Sequence, residues 1–306
     1  MEIELNGSRI FFDVAGSSLR IVDGHLVAKP TIIAIHGGLG FDHGYLKPGL
    51  EQLSNVAQIV FIDLRGQGRS GRPSLETCTL EQMADDVTEL CRILGISRPI
   101  IFGHSAGGFV AMRMALRHPR LIGGLILCDT SPSVAPVRED DEDEKAPGLT
   151  DRAGPEVLAV AGRVFGGDIS EESISQFFKV VCPFYFGPAH MRLADHILSL
   201  TTPDIRMMKH FMQKIAPTYD IMGEIGTIKT STLVMVGRYD WVCPPRASRA
   251  IAKTLPSAQL VEFQESGHFI FSEEPQKFHD TVSAYLERLE YPVASDGQAR
   301  ANSAAG

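Results

Sequence analysis

Short, continuously apolar runs alternate along this chain with segments of helical periodicity, and that alternation limits the folds available to it. The apolar runs are Thr31–His36, Gln58–Asp63, Pro99–Phe102, Leu125–Asp129, Thr232–Val236 and Gln259–Phe263. Helical patterns cover Thr79–Leu94, Gly107–Arg117 and residues from about 245 to 255 and 275 to 289. A strand that is apolar at every position is typical of a parallel sheet covered on both faces. The sequence therefore predicts an α/β fold with a mostly parallel central sheet flanked by helices.

The alternation is interrupted between about Ser131 and Lys229. This stretch contains an acidic run from Glu139 to Glu144, followed by helix-like pieces rich in Phe and Met. We interpret residues 132–229 as a helical cap inserted into a core formed by residues 1–131 and 230–291. Residues 3–14 and 19–28 are expected to form an N-terminal pair of strands, and the Ala/Ser/Gly-rich residues 292–306 a disordered tail.

Composition excludes several classes of partner. The 306 residues carry a formal net charge of −8 without a basic stripe, so no nucleic-acid partner is expected. No apolar run approaches the roughly 20 residues that cross a membrane. The N-terminus lacks the pattern of a signal peptide, and the five cysteines show no metal-ligand spacing. The sequence therefore predicts a cytoplasmic protein with reduced thiols and a small-molecule substrate.

Ser105 lies in a Gly-His-Ser-Ala-Gly segment between a predicted strand and a predicted helix. A serine on such a sharp turn is lifted clear of the sheet, and the strained backbone requires small residues beside it. The helix that follows begins with N–H groups that face the reaction centre. Ser105 is therefore the candidate nucleophile; the alternative is a glycine-rich loop with an incidental serine.

A serine nucleophile needs a base and an acid that orients the base. Asp240 comes just after the strand Thr232–Val236, and His268 follows the strand Gln259–Phe263. The order Ser105, Asp240, His268 is the order of one fold family. Asp129 also closes a predicted strand and is the rival candidate for the acid.

The oxyanion of an acyl-transfer intermediate needs N–H donors. The segment His36–Gly40 is rich in glycine and comes directly after a predicted strand, so its N–H groups can turn toward Ser105. Gly38 is the first candidate donor and Leu39 the second, with the N–H of Ala106 as the other donor. The alternative is a tight turn without such a role.

Together these motifs resemble the α/β-hydrolase superfamily over residues from about 3 to 290. The segment His36–Gly38 resembles its oxyanion segment, and Asp63–Ser70 resembles its D-x-R-G-x-G-x-S turn. Gly103–Gly107 is similar to the nucleophile elbow of the family, and Asp240 and His268 stand where it has its acid and base. The resemblance implies a serine hydrolase with a cap.

Three branches of that superfamily differ from this chain at the nucleophile or directly after it. Epoxide hydrolases and haloalkane dehalogenases carry Asp at the nucleophile position, where this chain has Ser105. The segment His36–Gly40 is close to the H-G-G-P-G of prolyl aminopeptidases, but those carry Trp after the nucleophile and this chain has Ala106. The residue after the nucleophile therefore counts against aminopeptidase activity. The apolar cap favours a small, fairly apolar ester or lactone as the first substrate class, and the segment His36–Gly40 with the acidic run favours an amide or aminoacyl substrate second.

No cofactor or metal is expected. Residues Gly66–Gly71 form a G-x-G-x-x-G match, but a dinucleotide site needs a helix to begin at once, and the next helical pattern begins near Thr79. The cysteines, histidines and acids show no clustered metal-ligand pattern. Cys243 is interpreted as a small buried hydrophobic residue.

The sequence as a whole predicts a cofactor-independent serine hydrolase. In this hypothesis Ser105 attacks a small, apolar carboxylic ester or lactone and forms an acyl-enzyme, with His268 as the base and Asp240 as its orienting acid. Three alternatives stay open: an amidase or prolyl-type aminopeptidase, a C–C bond hydrolase, and a non-catalytic small-molecule receptor on the same scaffold. The acidic run, were it close to the site, would attract a cationic substrate.

Overall fold

The computed structural model describes residues 1–135 and 145–289. The acidic run Glu139–Glu144 and the predicted tail 292–306 lie outside these residues. The strands are β1 (Glu2–Leu5), β2 (Ser8–Ala15), β3 (Leu19–Val22), β4 (His25–Ala28), β5 (Thr31–Ile35), β6 (Gln58–Asp63), β7 (Ile100–His104), β8 (Gly124–Cys128), β9 (Thr232–Gly237) and β10 (Ala258–Phe263). The α-helices are α1 (Lys47–Leu50), α2 (Leu80–Ile93), α3 (Ala106–Arg117), α4 (Leu149–Arg152), α5 (Pro155–Phe165), α6 (Glu171–Val180), α7 (Ala194–Ser199), α8 (Ile205–His210), α9 (Pro245–Thr254), α10 (Ile270–Glu273) and α11 (Pro275–Arg288).

Eight strands form one sheet in the order β1-β2-β6-β5-β7-β8-β9-β10. The pairs β1–β2 and β2–β6 are antiparallel, and all later neighbours are parallel. The prediction of a mostly parallel sheet covered by helices is confirmed. Because the carboxyl ends of parallel strands meet at one edge, the loops after β5, β7, β9 and β10 gather there.

The central strands β5, β7 and β8 are apolar at almost every position because both faces of the sheet are buried there. In β5, Ile33 and Ile35 pack on the side of α2 and α3, while Ile32 and Ala34 pack on the side of α11. Side chains alternate across a strand, so two covered faces require an apolar residue at every position.

The two predicted N-terminal strands are each a hairpin instead, which corrects that expectation. The first is broken into β1 and β2 by Asn6 and Gly7, and the second into β3 and β4 by Asp23 and Gly24. All four of these turn residues have positive φ, between 46° and 79°. Asn-Gly and Asp-Gly pairs favour two-residue hairpin turns of this kind, because asparagine, aspartate and glycine adopt left-handed backbone readily.

Between β8 and β9, the described residues form the helices α4 to α8 and no strand. The helices α4, α5, α6 and α8 share an apolar cluster of their own, which includes Val160, Val164, Ile174, Phe177 and Met208. The buried residues of α7, Ala194 and Ile197, pack instead in the cluster on the α11 side of the sheet. The boundaries 132–229 for an inserted cap stay a prediction. Among the described residues, no helix is long and apolar enough to cross a membrane.

Candidate active site

Ser105 occupies the turn between β7 and α3 in a strained backbone conformation. Its φ is 54° and its ψ is −126°, and only 9% of the residue is exposed. Its N–H donates to the carbonyl of Cys128 at 3.0 Å, and its own carbonyl accepts from Oγ1 of Thr130 at 2.7 Å. These contacts hold a conformation that a non-glycine residue rarely adopts, as is common at functional sites.

The glycines on either side of Ser105 are required by close backbone packing. A Cβ on Gly107 would lie 2.3 Å from the carbonyl oxygen of Ile35, and one on Gly103 would lie 2.6 Å from that of Gly107. A side chain at either position would overlap backbone atoms, and these cannot move aside as the end of a flexible side chain can. The small flanking residues therefore allow α3 to begin directly against β5.

His268 and Asp240 form a buried hydrogen-bonded pair at the ends of β10 and β9. Nδ1 of His268 lies 2.7 Å from Oδ2 of Asp240. The other oxygen of Asp240 accepts from the N–H groups of Val242 and Cys243, each at 2.9 Å. Burial raises the pKa of Asp240 while these N–H groups lower it, and burial lowers the pKa of His268. The imidazole is therefore neutral near pH 7, with Nδ1–H on Asp240 and Nε2 free to accept a proton.

The carboxylate of Asp129, the rival acid, is hydrogen-bonded to other groups than His268. Its Oδ1 accepts from the N–H of Gly237 at 2.9 Å, and its Oδ2 lies 3.3 Å from the thiol of Cys128. Burial raises the pKa of Asp129, and the neighbouring Asp240 raises it further. Of the two candidates, the structure brings Asp240 into contact with the His268 ring.

The glycine-rich loop after β5 lies directly against Ser105. A Cβ on Gly37 would lie 2.6 Å from Cβ of Ser105. The N–H of Gly37 is already engaged, because it donates to the hydroxyl of Tyr45 at 2.6 Å. Gly37 therefore places the loop but does not itself supply a free donor.

The three predicted oxyanion donors are different in this respect. Among the described residues, the N–H groups of Gly38 and Leu39 donate to no other group. Gly38 has a φ of 67°, which reverses the chain at this point. Ala106 is the first residue of α3, so its N–H has no partner within the helix. All three N–H groups are available to a ligand.

Tyr45 and His104 were not singled out from the sequence, yet they connect the parts of the site. The hydroxyl of Tyr45 lies 2.8 Å from Nδ1 of His104, and Nε2 of His104 lies 2.7 Å from the carbonyl of His268. A carbonyl can only accept, so Nε2 carries the proton and Nδ1 accepts from Tyr45. This chain of hydrogen bonds runs from the Gly37 loop to the backbone of His268. The position of His104 directly before Ser105 could have pointed to it, whereas nothing in the sequence around Tyr45 indicates its role.

Cys243, interpreted from the sequence as a small buried hydrophobic residue, lies beside Ser105, Asp240 and His268. Its thiol contacts the side chain of Ser105, and burial raises its pKa. The potential ligand atoms of Asp240, Cys243 and His268 lie within 4.8 Å of one another. Both oxygens of Asp240 accept hydrogen bonds, so this carboxylate is already engaged within the cluster.

Ser105 and His268 line a cavity of about 420 Å³ between the sheet and the helices α5 to α8. Its walls are apolar and include Phe109, Phe177, Tyr185, Met208, Met212 and Trp241. Arg246 is the one Asp, Glu, Lys or Arg among the described lining residues. Such a cavity favours an apolar ligand whose polar group sits at the Ser105 end.

Solved structures share this fold. An enol-lactonase from Burkholderia xenovorans has a TM-score of 0.73 and 23% identity, covering 94% of this chain and 100% of that chain. A thermophilic esterase from Thermogutta terrifontis has a TM-score of 0.71 and 24% identity, covering 95% of this chain and 99% of that chain.

Relatives in sequence carry several names. A protein named proline iminopeptidase PfmaB from Pestalotiopsis fici is 25% identical, covering 94% of this chain and 99% of its own length. A protein named putative carbamate hydrolase RutD from Agrobacterium fabrum is 28% identical, covering 87% of this chain and 96% of its own length. The family model described as "alpha/beta hydrolase fold" matches residues 30–172 and 185–275. This chain therefore belongs to the α/β-hydrolase fold family, a family of hydrolases.

Proposed function

We propose that this protein is a cofactor-independent serine hydrolase that cleaves a small, apolar carboxylic ester or lactone. One observation carries the proposal: Ser105, on a strained turn, lines the same apolar cavity as His268, whose ring is held by Asp240 at 2.7 Å. A nucleophile, a base and an acid that orients the base are the parts that acyl transfer requires.

In the acylation step, Oγ of Ser105 attacks the ester carbonyl carbon while Nε2 of His268 takes the hydroxyl proton. The carbonyl electron pair moves to oxygen, and the N–H groups of Gly38 and Ala106 hold that oxyanion, with Leu39 as the alternative donor. His268 then gives its proton to the leaving alkoxide as the C–O bond breaks. The products are an acyl-enzyme and an alcohol, which stays attached in the case of a lactone.

Water completes the cycle by the same route. His268 takes a proton from water, and the hydroxide formed attacks the acyl carbon. The second oxyanion collapses, the bond to Oγ of Ser105 breaks, and His268 returns the proton to the serine. The net reaction is ester plus water to acid plus alcohol. Asp240 keeps the ring in the required tautomer throughout and stabilises the imidazolium that forms.

The apolar cavity supports esters and lactones as the first substrate class. In this proposal residues 132–229 form the cap and residues 1–131 and 230–291 the core, so that the cap helices supply one wall of the acyl pocket. Phe177 and Met212 lie on that wall, while Ala106 and Phe109 line the side of the core. Acyl chains buried there gain about 0.8 kcal/mol per methylene.

A prolyl-type aminopeptidase or amidase is the second candidate. The relatives named proline iminopeptidase favour it, as does the acidic run Glu139–Glu144, which follows shortly after the cavity-lining Ala135 in the sequence. An α-ammonium group needs a carboxylate partner, and no Asp or Glu is among the described lining residues. This places aminopeptidase activity second.

The test compares p-nitrophenyl esters of increasing acyl length with a prolyl anilide, using wild type and Ser105→Ala. Both proteins are first shown to be folded by their thermal melting. Ester turnover that disappears in Ser105→Ala is the expected result. Preference for the anilide would support the aminopeptidase instead.

Labelling with a fluorophosphonate adds a test that needs no substrate. Ser105 is expected to be labelled in wild type and His268→Ala to be labelled far more slowly, since the base activates the nucleophile. Full activity of a folded Ser105→Ala would overturn the mechanism. Absence of both labelling and turnover would support a non-catalytic receptor.

A further inference from the structure

A buried carboxylate, that of Glu273, lies beneath the loop that carries His268. Glu273 is the last residue of α10 and is 5% exposed. Its Oε1 accepts from the N–H groups of Gly267 and Phe269, each at 3.0 Å, so it binds the residues on both sides of His268. Its Oε2 accepts from the N–H of Gly187 at 2.7 Å.

The backbone of His268 itself is held from two further directions. Its N–H donates to the carbonyl of Tyr185 at 2.6 Å, and its carbonyl accepts from Nε2 of His104. A Cβ on Gly267 would lie only 2.1 Å from the same Tyr185 carbonyl, so this loop packs flat against the segment that contains Tyr185 and Gly187. These contacts hold the backbone that carries the imidazole of His268.

We infer that Glu273 is a positioning residue of the proposed hydrolase, whose carboxylate fixes the His268 loop and joins it to the segment around Gly187. The inference rests on the proposed function, since it concerns the alignment of the base. Three N–H donors converge on this side chain. An ionised carboxylate is the one acidic or amide side-chain form that offers acceptors alone, and a glutamine amide would turn an N–H toward one of these donors.

The charges around Glu273 set when it is ionised. The pKa of Glu273 is raised to about 7: burial raises it, the three N–H groups lower it in part, and the neighbouring Asp240 raises it further. Arg152, at the end of α4, attracts it, and Asp129 adds a second nearby carboxyl. A protonated carboxyl carries an O–H that faces an N–H donor. Alignment of His268 is therefore expected to weaken as the pH falls below neutral.

The experiment compares Glu273→Gln with Asp86→Asn. Asp86 is also a buried carboxylate, 1% exposed and paired with Arg65, and neither residue lines the cavity. Its loss is expected to lower stability without removing a contact to the His268 loop. With p-nitrophenyl butyrate, assayed below the melting temperature of each variant, Glu273→Gln is expected to lower kcat about 10²-fold, the order of loss from misplacing a catalytic group by about 1 Å. The KM of Glu273→Gln and the kcat of Asp86→Asn are expected to stay near the wild-type values.

Two further readouts separate positioning from general support of the fold. The wild-type profile of kcat/KM against pH is expected to fall below about pH 7, and Glu273→Gln is expected to lack that limb. Glu273→Asp keeps the charge but is one methylene shorter, so it should retain the limb with an intermediate kcat. It also carries the test if Glu273→Gln does not fold.

The possible outcomes separate a failure of the positioning role from a failure of the proposed hydrolase function. An inactive Ser105→Ala together with wild-type kcat in Glu273→Gln, or in Glu273→Asp if Glu273→Gln does not fold, would overturn the positioning role and leave the hydrolase standing. An equal loss of kcat in Glu273→Gln and Asp86→Asn would also overturn it, because general destabilisation would explain both. A fully active Ser105→Ala would overturn the proposed function itself.

Discussion

At the scale of single residues, the two buried acids beside β9 differ in what they touch. Asp240 accepts from the His268 ring, whereas Asp129 accepts from the backbone of Gly237. Asp240→Asn is expected to lower kcat about 10⁴-fold, because an amide at this position holds the imidazole in the wrong tautomer. Asp129→Asn is the matched control and is expected to keep kcat within about tenfold of wild type. Steady-state kinetics on a p-nitrophenyl ester measures both, and an equal loss in the two variants would contradict the assignment.

Glu273 leads to a second prediction, about stability. Its pKa rises from 4.5 to about 7 on folding, so between these pH values the native state binds the proton more tightly than the unfolded state does. Stability from this group is fully present below about pH 4.5 and is lost as the pH rises through 7. The free energy of unfolding of wild type relative to Glu273→Gln is therefore expected to fall with rising pH, by at most about 1.4 kcal/mol per pH unit.

Urea unfolding of both proteins between about pH 5 and pH 8 measures this difference. Activity and stability are expected to run in opposite directions, because activity needs the ionised carboxylate and its burial costs stability. Parallel stability curves for wild type and Glu273→Gln would contradict the prediction. Asp86→Asn serves again as the control for an unrelated buried acid.

Ser105, Asp240 and His268 could be located from the sequence because each follows a recognisable strand, and parallel strands deliver their ends to one edge. Tyr45 and Glu273 could not. Each makes a hydrogen bond to a residue far away in the sequence, and no local sequence pattern indicates such a bond. Tyr45 meets His104 across 59 positions, and Gly187 meets Glu273 across 86.

At the scale of elements, the sequence predicted the helices and parallel strands well because their apolar patterns are long and regular. The predicted helix Thr79–Leu94 is observed as Leu80–Ile93, and Gly107–Arg117 as Ala106–Arg117. The N-terminal hairpins were missed because two short strands and a two-residue turn read as one extended run. Their signal was the Asn-Gly and Asp-Gly pairs rather than the apolar pattern.

Two helical glycines test how tightly an element is packed. Gly162 lies within α5, and a Cβ added there would meet no atom within 4 Å. A Cβ on Gly107 in α3 would instead lie 2.3 Å from the carbonyl oxygen of Ile35. Gly162→Ala is expected to stabilise the protein by about 0.5–1 kcal/mol, since alanine loses less backbone entropy in a helix. Gly107→Ala is expected to destabilise it and to abolish activity.

Thermal melting and ester turnover measure this pair. Gly162→Ala should leave turnover unchanged, because Gly162 does not line the cavity. A destabilised Gly162→Ala would contradict the open environment of that position, and an active Gly107→Ala would contradict the close contact between α3 and the end of β5.

At the scale of the whole molecule, the shape of the cavity depends on how the helices between β8 and β9 rest on the sheet. The Phe-rich and Met-rich pieces of the sequence indicated that these helices exist. They did not indicate which side chains face the cavity. That choice is made by packing between distant segments: Phe41, after β5, meets Phe178 of α6 with ring centroids 5.7 Å apart. Substrate size is therefore a property of the assembled molecule.

The cavity predicts a dependence of turnover on acyl length. For a pocket that buries the acyl chain, kcat/KM is expected to rise about fourfold per added methylene until the pocket is full, the equivalent of about 0.8 kcal/mol each. Met212 lines the cavity and is half-buried, so Met212→Trp is expected to move the optimum to shorter chains and Met212→Ala to longer ones. Met222→Ala, at a half-buried methionine outside the cavity, should leave the optimum in place. Initial rates on p-nitrophenyl esters from acetate upward measure this, and an optimum that none of the Met212 variants moves would show that the acyl group binds elsewhere.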